Sequence, residues 1–425
     1  MLECRTTFHS LVEMGLLLFI AFSLLFATAT PLRGISSNSC SSKIKDDQSH
    51  RNTSGLLHLT LHHPLSPCSP APLPDLPIST VLSHDAARVR SIAARLSKTP
   101  SARPTSLDLQ PESVSVPLTP GTSVGVGNYV TRISLGTPAT SYVMVVDTGS
   151  SLSWLQCSPC AVSCHDQVGS IFDPSASNTY QSVSCSAPEC DSLDSATLNP
   201  SACSNSGMCI YQASYGDSSF SVGYLSRDTL SLGGQTFPNF VYGCGQDNEG
   251  LFGESAGLIG LAKNKLSLLS QLAPKLGYSF SYCLPTTSSS GYLSIGSSSP
   301  AQFSYTPMVS NSLDSTLYFL TLTGISVAGV RSLSHRRHTQ VPLRSSTPAR
   351  ASRLAVPEVD LVFQGGAAMK LPPGNVMFDV DSSTTCLAFA ESSRVAIIGN
   401  KQQQTFSVAY DVATQKIGFA AGGCR

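Results

Sequence analysis

Charged side chains are scarce in this sequence of 425 residues. Twenty-six basic and 26 acidic residues give a formal net charge of zero at pH 7, and charged residues make up 12% of the chain. A chain without a charge excess has no long-range field that would attract nucleic acid or an anionic membrane surface. We therefore predict neither nucleic acid nor membrane among its partners.

Long apolar runs and helical periodicity are also scarce. The apolar stretch at residues 15–26 is too short to span a bilayer comfortably, and no later stretch replaces it. Short runs of Val, Ile, Thr, Tyr and Phe alternate instead with turns rich in Gly, Ser, Asn and Pro. This pattern predicts an all-β fold, or a mostly β fold with a few short helices.

Cysteine is abundant, with 14 residues, most of them between Cys157 and Cys244. This density predicts a disulfide framework that forms in an oxidising compartment. Residues 1–29 fit a signal peptide, because the apolar stretch ends in Ala27-Thr28-Ala29, a small-x-small cleavage pattern. Residues 30–118 are rich in Ser, Pro, His and Arg and contain the glycosylation acceptor Asn52-Thr53-Ser54. We interpret them as a removable pro-segment, with a disordered linker as the alternative.

An acid loop stands at the end of a buried strand. The run Tyr142-Val143-Met144-Val145-Val146 predicts this strand, and Asp147-Thr148-Gly149-Ser150-Ser151 follows it. A carboxylate at this place is costly to bury unless hydroxyl or N–H groups bind it, and Thr148, Ser150 and Ser151 can supply hydroxyls. By itself the tripeptide Asp-Thr-Gly is also a common hairpin turn.

Two later patterns could complete a cleft around this loop. Residues 213–225 predict a hairpin with Gly-Asp-Ser-Ser at its tip, which could close over a substrate. Residues 256–262 and 396–400 share a form, an apolar pair followed by glycine, and this weak internal repeat predicts two lobes of similar build.

Local motifs also suggest two other kinds of site. Cys157, Cys160, Cys164 and His165 could bind zinc, but no second ligand pair follows at the required spacing. Gly253-Glu254-Ser255-Ala256-Gly257 fits the nucleophile elbow of serine hydrolases, but it precedes a strand where that motif should follow one. We predict no metal and no cofactor.

Together these motifs resemble the pepsin-like aspartic proteases, and among them the nepenthesin-like branch of plants. The residues that carry the resemblance are Asp147 to Ser151 with Trp154, Tyr215 to Ser219, Gly257 to Leu261, and Ile397 to Asn400 with Tyr410-Asp411. The resemblance implies a bilobal, all-β fold with an N-terminal lobe at 119–300 and a C-terminal lobe at 301–425. It also implies that Asp147 is a catalytic aspartate supported by Thr148, Gly149 and Ser150, with Tyr215 on a flap.

The resemblance further implies a set of disulfide bridges. The expected pairs are Cys157–Cys160, Cys164–Cys244, Cys185–Cys209, Cys190–Cys203 and Cys283–Cys424. On this scheme Cys386 is left unpaired.

The second catalytic aspartate that the family requires is missing. The aspartates after Gly260 are Asp314, Asp360, Asp379, Asp381 and Asp411, and none is followed by Thr-Gly or Ser-Gly. Residues 331–353 instead contain six arginines, two histidines and no acidic residue. We interpret the C-terminal lobe as incomplete around 331–355, through a deletion, a splice variant or a gene-model error; a basic loop for an acidic partner is the alternative reading.

The sequence therefore predicts an aspartic-type endopeptidase that is impaired, because only Asp147 of the catalytic pair is present. The alternative is an inactive pepsin-fold protein that binds peptides or inhibitors. We expect a monomer made as a zymogen, a polypeptide in the cleft between the lobes, and delivery through the secretory pathway to the apoplast or vacuole, with the plastid as a further destination.

Overall fold

The protein is described by a computed structural model, which covers residues 57–63, 66–71, 89, 128–296, 303–311, 314–333, 356–379, 385–389 and 396–424. Several predictions from the sequence fall outside these residues. They are the signal peptide, the glycosylation acceptor at Asn52, Asp381 and nearly all of the arginine-rich segment.

The largest sheet has nine strands and carries the acid loop. Its strands are β2 (Val130–Leu135), β3 (Thr140–Asp147), β4 (Trp154–Gln156), β5 (Gln181–Ser182), β6 (Ala202–Cys203), β7 (Cys209–Ser214), β8 (Phe220–Leu232), β9 (Gln235–Glu249) and β10 (Gly257–Gly260). They lie in the order β2-β3-β10-β4-β9-β8-β7-β6, and β5 pairs with β8. Residues Tyr142 to Val145 of β3 are all buried, as expected for an inner strand that is covered on both faces.

A second sheet has seven strands drawn from distant parts of the chain. They are β1 (Leu57–Leu61), β11 (Ser279–Cys283), β12 (Gly291–Ile295), β13 (Ser304–Val309), β14 (Phe319–Leu320), β21 (Ser407–Asp411) and β22 (Lys416–Ala420). The order is β1-β12-β11-β21-β22-β13-β14.

Two small sheets complete the β structure. The first contains β15 (Leu322–Val327), β16 (Val330–Leu333), β17 (Val359–Phe363) and β18 (Ala368–Leu371), and the second contains β19 (Met377–Asp379) and β20 (Thr385–Leu387). In β17 the side chains of Val359, Leu361 and Phe363 are buried. Asp360 lies on the less buried face, opposite Lys370 of β18.

Helices are short, as the sequence predicted. They are α1 (Pro188–Asp191), α2 (Leu193–Thr197), α3 (Leu268–Leu276), α4 (Pro373–Val376) and α5 (Asn400–Gln403). In α3 the buried residues are Leu268, Leu269, Leu272 and Leu276, which lie on one face at helical spacing. No helix among the described residues is long and apolar enough to cross a membrane.

Strand β1 lies inside the segment that we interpreted as removable. Leu57, Leu59 and Leu61 alternate with more exposed residues and are buried against β12. Beyond the strand, His62 pairs with Val130 at the start of β2. Part of residues 30–118 therefore belongs to the folded core, and the boundaries of the pro-segment stay a prediction.

Four of the five expected disulfide pairs are wrong, although all ten cysteines are bridged. The structure pairs Cys157 with Cys244, Cys160 with Cys164, Cys185 with Cys203, Cys190 with Cys209, and Cys283 with Cys424. Only the last pair matches the expectation. The prediction that Cys386 is unpaired is also wrong, because Cys386 is disulfide-bonded.

The strand arrangement explains the first exchange, in which Cys157 pairs with Cys244 and Cys160 with Cys164. Strand β4 runs parallel to β9 with Leu155 opposite Cys244, so Cys157, just after β4, lies with its Cα 5.3 Å from that of Cys244. Cys160 and Cys164 are then left to close a small loop, with their Cα atoms 6.1 Å apart.

Burial explains the other exchange. Cys203 and Cys209 lie opposite each other in the β6–β7 hairpin, so their two bridges run side by side. Cys190 and Cys209 are fully buried and pair on the core side, where α1 packs on β7. Cys185 and Cys203 are partly exposed and pair on the outer side.

Candidate active site

Asp147 is the last residue of β3 and is fixed by backbone groups. Its own backbone carbonyl accepts a hydrogen bond from the Leu261 N–H at 2.9 Å, because β3 runs parallel to β10 with Asp147 opposite Gly260. The Gly149 N–H donates to Asp147 Oδ1 at 2.8 Å. Asp147 is partly exposed and follows the buried stretch Tyr142 to Val145 of this strand. This geometry presents an acidic group that a substrate can reach.

Two of the three hydroxyl groups predicted to bind the acid, those of Ser150 and Ser151, make no hydrogen bond to Asp147. Ser150 and Ser151 Oγ are buried, and neither has a hydrogen-bond partner among the described residues. The bond to Asp147 Oδ1 comes instead from the backbone of Gly149, where a Cβ atom would lie 3.2 Å from that oxygen. Glycine at this position therefore permits the close approach, and two polar hydroxyls are left beside the acid.

Tyr215 stands in the hairpin between β7 and β8. The hairpin closes with hydrogen bonds from the Tyr215 N–H to Ser219 O at 2.8 Å and from the Ser219 N–H to Asp217 Oδ1 at 3.0 Å. Trp154 Nε1 donates to the Tyr215 hydroxyl at 2.7 Å. Trp154 is fully buried on β4, where it lies opposite Leu258 of β10. The predicted flap residue is thus tied to the sheet that carries the acid loop.

Electrostatics also connect Tyr215 with Asp147. Burial of its hydroxyl raises the pKa of Tyr215 well above its usual value, and the negative charge of Asp147 raises this pKa further. The hydrogen bond with Trp154 opposes both effects. Tyr215 therefore remains a neutral hydroxyl at every pH at which a protein of this kind would work.

The contacts behind the flap are not visible in the sequence. The family motif contains Trp154 but assigns it no role, and Phe252 lies in no motif with an assigned role. In the structure the Phe252 ring meets the Trp154 ring edge-on at 4.8 Å and the Tyr215 ring at 5.8 Å between centroids. The only available signal was that Trp154 is the single tryptophan of the chain.

Three of the four described aspartates of the C-terminal half accept hydrogen bonds from groups close to them in sequence or register. Asp314 accepts from the Thr316 N–H and hydroxyl, Asp379 accepts from the Thr385 hydroxyl across β19–β20, and Asp411 accepts from the Thr414 N–H. Asp360 faces Lys370 across β17–β18. None of these four stands in an Asp-Thr-Gly or Asp-Ser-Gly loop at the end of a strand in the described part of the chain.

The two alternative sites proposed from local motifs fail for structural reasons. Ser255 is 1% exposed and its hydroxyl donates to the Phe252 carbonyl, so it cannot act as a nucleophile. Cys157, Cys160 and Cys164 are all consumed in disulfide bridges and cannot bind zinc as thiolates.

Comparison with known proteins gives related sequences and folds. Residues 129–297 match the family described as Xylanase inhibitor N-terminal, and residues 334–421 match Xylanase inhibitor C-terminal. Aspartyl protease family protein 2 of Arabidopsis thaliana is 37% identical over 404 residues, covering 83% of this chain and 82% of that protein. Aspartic proteinase nepenthesin-1 of Nepenthes gracilis is 32% identical over 355 residues, covering 71% and 79%.

Solved structures share the fold at lower identity. Conglutin gamma, a basic 7S globulin from lupine seeds, superposes with a TM-score of 0.53 at 19% identity, covering 69% of this chain and 91% of its own. The structure described as edgp gives a TM-score of 0.53 at 20% identity, covering 76% and 96%. These likenesses confirm the all-β, bilobal fold.

Proposed function

Because the chain belongs to the nepenthesin-like, pepsin-type aspartic proteases of plants, we propose that it binds polypeptide at the Asp147 loop and hydrolyses it only weakly. The family is an endopeptidase family, and its substrates are polypeptides. The observation that carries the proposal is Asp147 itself, an accessible carboxylate beside the Trp154–Tyr215 flap, with no second aspartate in a matching loop of the sequence.

The chemistry of this family requires two carboxylates around one water molecule. Two such groups cannot both ionise easily, so they share a proton, and their apparent pKa values belong to the pair. One carboxylate then accepts a proton from the attacking water while the other donates a proton to the carbonyl oxygen of the peptide bond. Asp147 alone can accept the proton of the water, but it has no partner that donates.

The expected loss of rate follows from the missing proton donor. A positioned general acid or base contributes roughly 10²–10⁴-fold to a rate. We therefore expect hydrolysis to be slower than in a complete relative by at least about 10²-fold, which corresponds to about 2.7 kcal/mol in the activation free energy. The segment where the resemblance places the second acid contains six arginines and no acidic residue.

Binding does not depend on the missing acid to the same degree. The Gly149 N–H, the Tyr215 hydroxyl and the two buried hydroxyls of Ser150 and Ser151 are all in place at the acid loop. A buried hydroxyl without a partner costs about 1–3 kcal/mol, which a bound water or ligand can recover. Because Asp147 is partly exposed and its loop does not depend on the missing acid, a peptide can still bind there after catalysis has been weakened.

The second candidate is a binding protein without any turnover. The matched sequence families carry the description Xylanase inhibitor, so proteins of this build include inhibitors. On this reading the chain would bind a partner protein or an inhibitor and release it unchanged.

Hydrolysis of a denatured protein at acid pH, measured with purified and processed chain, separates these possibilities. We expect traces of product that pepstatin and Asp147→Asn both remove, with Asp191→Asn as a matched control at an exposed aspartate of the same lobe. Turnover equal to that of a complete nepenthesin would refute the impairment. Complete absence of product, with pepstatin still bound, would favour the second candidate, and absence of both would refute the proposal.

The cellular setting is proposed on the sequence. The N-terminal signal pattern and the disulfides of the described part of the chain support synthesis through the secretory pathway as a zymogen, with the apoplast or vacuole as destination. We propose that the mature protein is a monomer and binds its polypeptide between the two lobes.

A further inference from the structure

The flap contact between Trp154 and Tyr215 is supported from behind by two more rings, those of Phe252 and His165. We propose that His165 is a positioning residue that acts through Phe252 to keep the Tyr215 hydroxyl on Trp154. The inference deepens the proposed function, because it concerns the flap over the acid loop, but its test does not require turnover.

Phe252 is the common neighbour of the flap residues. It is 6% exposed, and its ring meets those of Trp154 and Tyr215 at interplanar angles of 80° in both contacts. Aromatic pairs favour such edge-to-face arrangements. Because one ring meets both partners of the hydrogen bond, a displacement of Phe252 must disturb the relative position of Trp154 and Tyr215.

His165 limits the movement of Phe252 on its other side. The two ring centroids are 5.5 Å apart, with the planes inclined by 33°. His165 Nε2 lies 2.8 Å from the Ser255 carbonyl oxygen, which can only accept, so Nε2 carries the proton. This hydrogen bond connects the imidazole to the segment that contains Phe252 and Ser255.

The backbone of His165 is itself held by a buried side chain. Gln156, which is 0% exposed on β4, accepts from the His165 N–H through Oε1 and donates to the His165 carbonyl through Nε2, both at 2.9 Å. Gln156 is two residues beyond Trp154 in the same strand. His165 is therefore fixed relative to Trp154 from one side and relative to Phe252 from the other.

The imidazole is suited to this position in its neutral form. Its Nδ1 is buried without a hydrogen-bond partner among the described residues. Burial lowers the pKa of His165, while the carbonyls of Ser255 and Asn248 and the charge of Asp166 oppose this effect. Protonation at acid pH would place a charge against the Phe252 ring in a buried site, which is unfavourable.

Other titratable groups lie on the elements around His165, and the effect of their titration must be distinguished from that of His165. Asp247 of β9 pairs with Ser163, and burial together with the charge of Glu249 raises the pKa of Asp247 to about 6. Glu254 precedes Ser255, and its carbonyl accepts from the Val168 N–H. On the flap side, Asp147 and Asp217 both act on Tyr215.

The single tryptophan makes the test direct, because all tryptophan emission of the chain comes from Trp154. Acrylamide quenching and the emission maximum are measured from pH 7 to pH 4 for the full chain and its variants. Tyr215→Phe, which removes the partner of Trp154 Nε1, gives the signal of a released flap. We expect His165→Leu and Phe252→Leu to move quenching towards that signal by at least half at pH 7.

Three further variants isolate the role of His165. His165→Gln retains an N–H donor for the Ser255 carbonyl without a group that titrates, so it should restore part of the protection of Trp154. It should also abolish the acid transition, that is, the change in Trp154 quenching that we expect for the parent below pH 6.5. Asp247→Asn and Asp166→Asn should retain that transition, although Asp166→Asn shifts it to lower pH.

The outcomes separate this inference from the proposed function. If His165→Leu, shown to be folded by circular dichroism, leaves quenching and the acid transition unchanged while Tyr215→Phe alters quenching, the role of His165 is refuted. If Tyr215→Phe itself has no effect, the flap contact that the inference needs is refuted. Neither result depends on hydrolysis, so a chain without peptidase activity can still confirm or overturn the role of His165.

Discussion

The stability of the protein should depend on pH through His63, which follows strand β1. Its ring meets that of the buried Tyr129 edge-on at 5.5 Å. Burial, and to a smaller extent the positive charge of Lys401, lower the pKa of His63 from 6.5 to about 4. An unfolded chain binds a proton at this residue at higher pH than the folded chain does.

The sign and magnitude follow from proton linkage. Stability contributed by neutral His63 is complete above pH 6.5, falls as the pH drops towards about 4, and changes no further below that. A pKa difference of about 2.5 corresponds to about 3.4 kcal/mol at about 1.36 kcal/mol for each pKa unit. Because His63 is only half-buried, solvent screening reduces this, and we expect about 1–2 kcal/mol.

The perturbation is His63→Phe, which keeps a ring against Tyr129 and removes the titrating group. Urea denaturation at pH 7 and at pH 4 gives the free energy of unfolding of both proteins, and other titrating groups cancel in the comparison. We expect the free energy of unfolding of the variant, taken relative to that of the parent, to be about 1–2 kcal/mol higher at pH 4 than at pH 7. The same substitution at His62 controls for the added ring.

The reasoning is refuted if the difference between His63→Phe and the parent is the same at both pH values. It is also refuted if acidification raises the free energy of unfolding of the parent relative to that of the variant. Lys401→Gln provides a second check, because removing its charge should raise the pKa of His63 and reduce the loss of stability at acid pH.

Three further predictions concern the fold. Leu61→Ala, at a residue 1% exposed in β1, should lower the free energy of unfolding by about 2–5 kcal/mol; an unchanged melting temperature would show that β1 does not belong to the core. Gly257→Ala would place a Cβ atom 2.1 Å from the Trp154 carbonyl oxygen, so we expect a loss of about 1–3 kcal/mol or more and poor expression, and normal yield and stability would contradict this packing. Mass spectrometry of non-reduced peptides should recover Cys157 joined to Cys244, and recovery of Cys157 joined to Cys160 would instead support the pairing expected from resemblance.

The fold class and the acid loop could be predicted from the sequence for a local reason. The β3 pattern, the Asp-Thr-Gly turn and the glycines before Leu261 depend on neighbouring residues, and each is visible in the chain. The resemblance to aspartic proteases implies a catalytic role for Asp147, which stays a prediction, and the related sequences confirm the family.

The disulfide pairs, and the rings of Phe252 and His165 behind the flap, could not be predicted from local sequence patterns. Spacing along the chain does not decide whether Cys157 lies nearer to Cys160 or to Cys244, because the distance depends on β4 pairing with β9. The same holds for Phe252 and His165, which are 87 residues apart in sequence and 5.5 Å apart between ring centroids. Strand β1 was likewise not predicted within the pro-segment, because its leucines pair with residues of β12 that lie more than 200 residues later in the chain.

The sequence by itself therefore determined which strand carries the acid and that only one such loop is present, because backbone turns and side-chain alternation are local properties. Tertiary structure alone decided which thiols pair, that Gly149 rather than a serine binds Asp147, and which rings support Tyr215. These features depend on distances between strands that are remote in the chain, and such distances are fixed only when the sheets are packed.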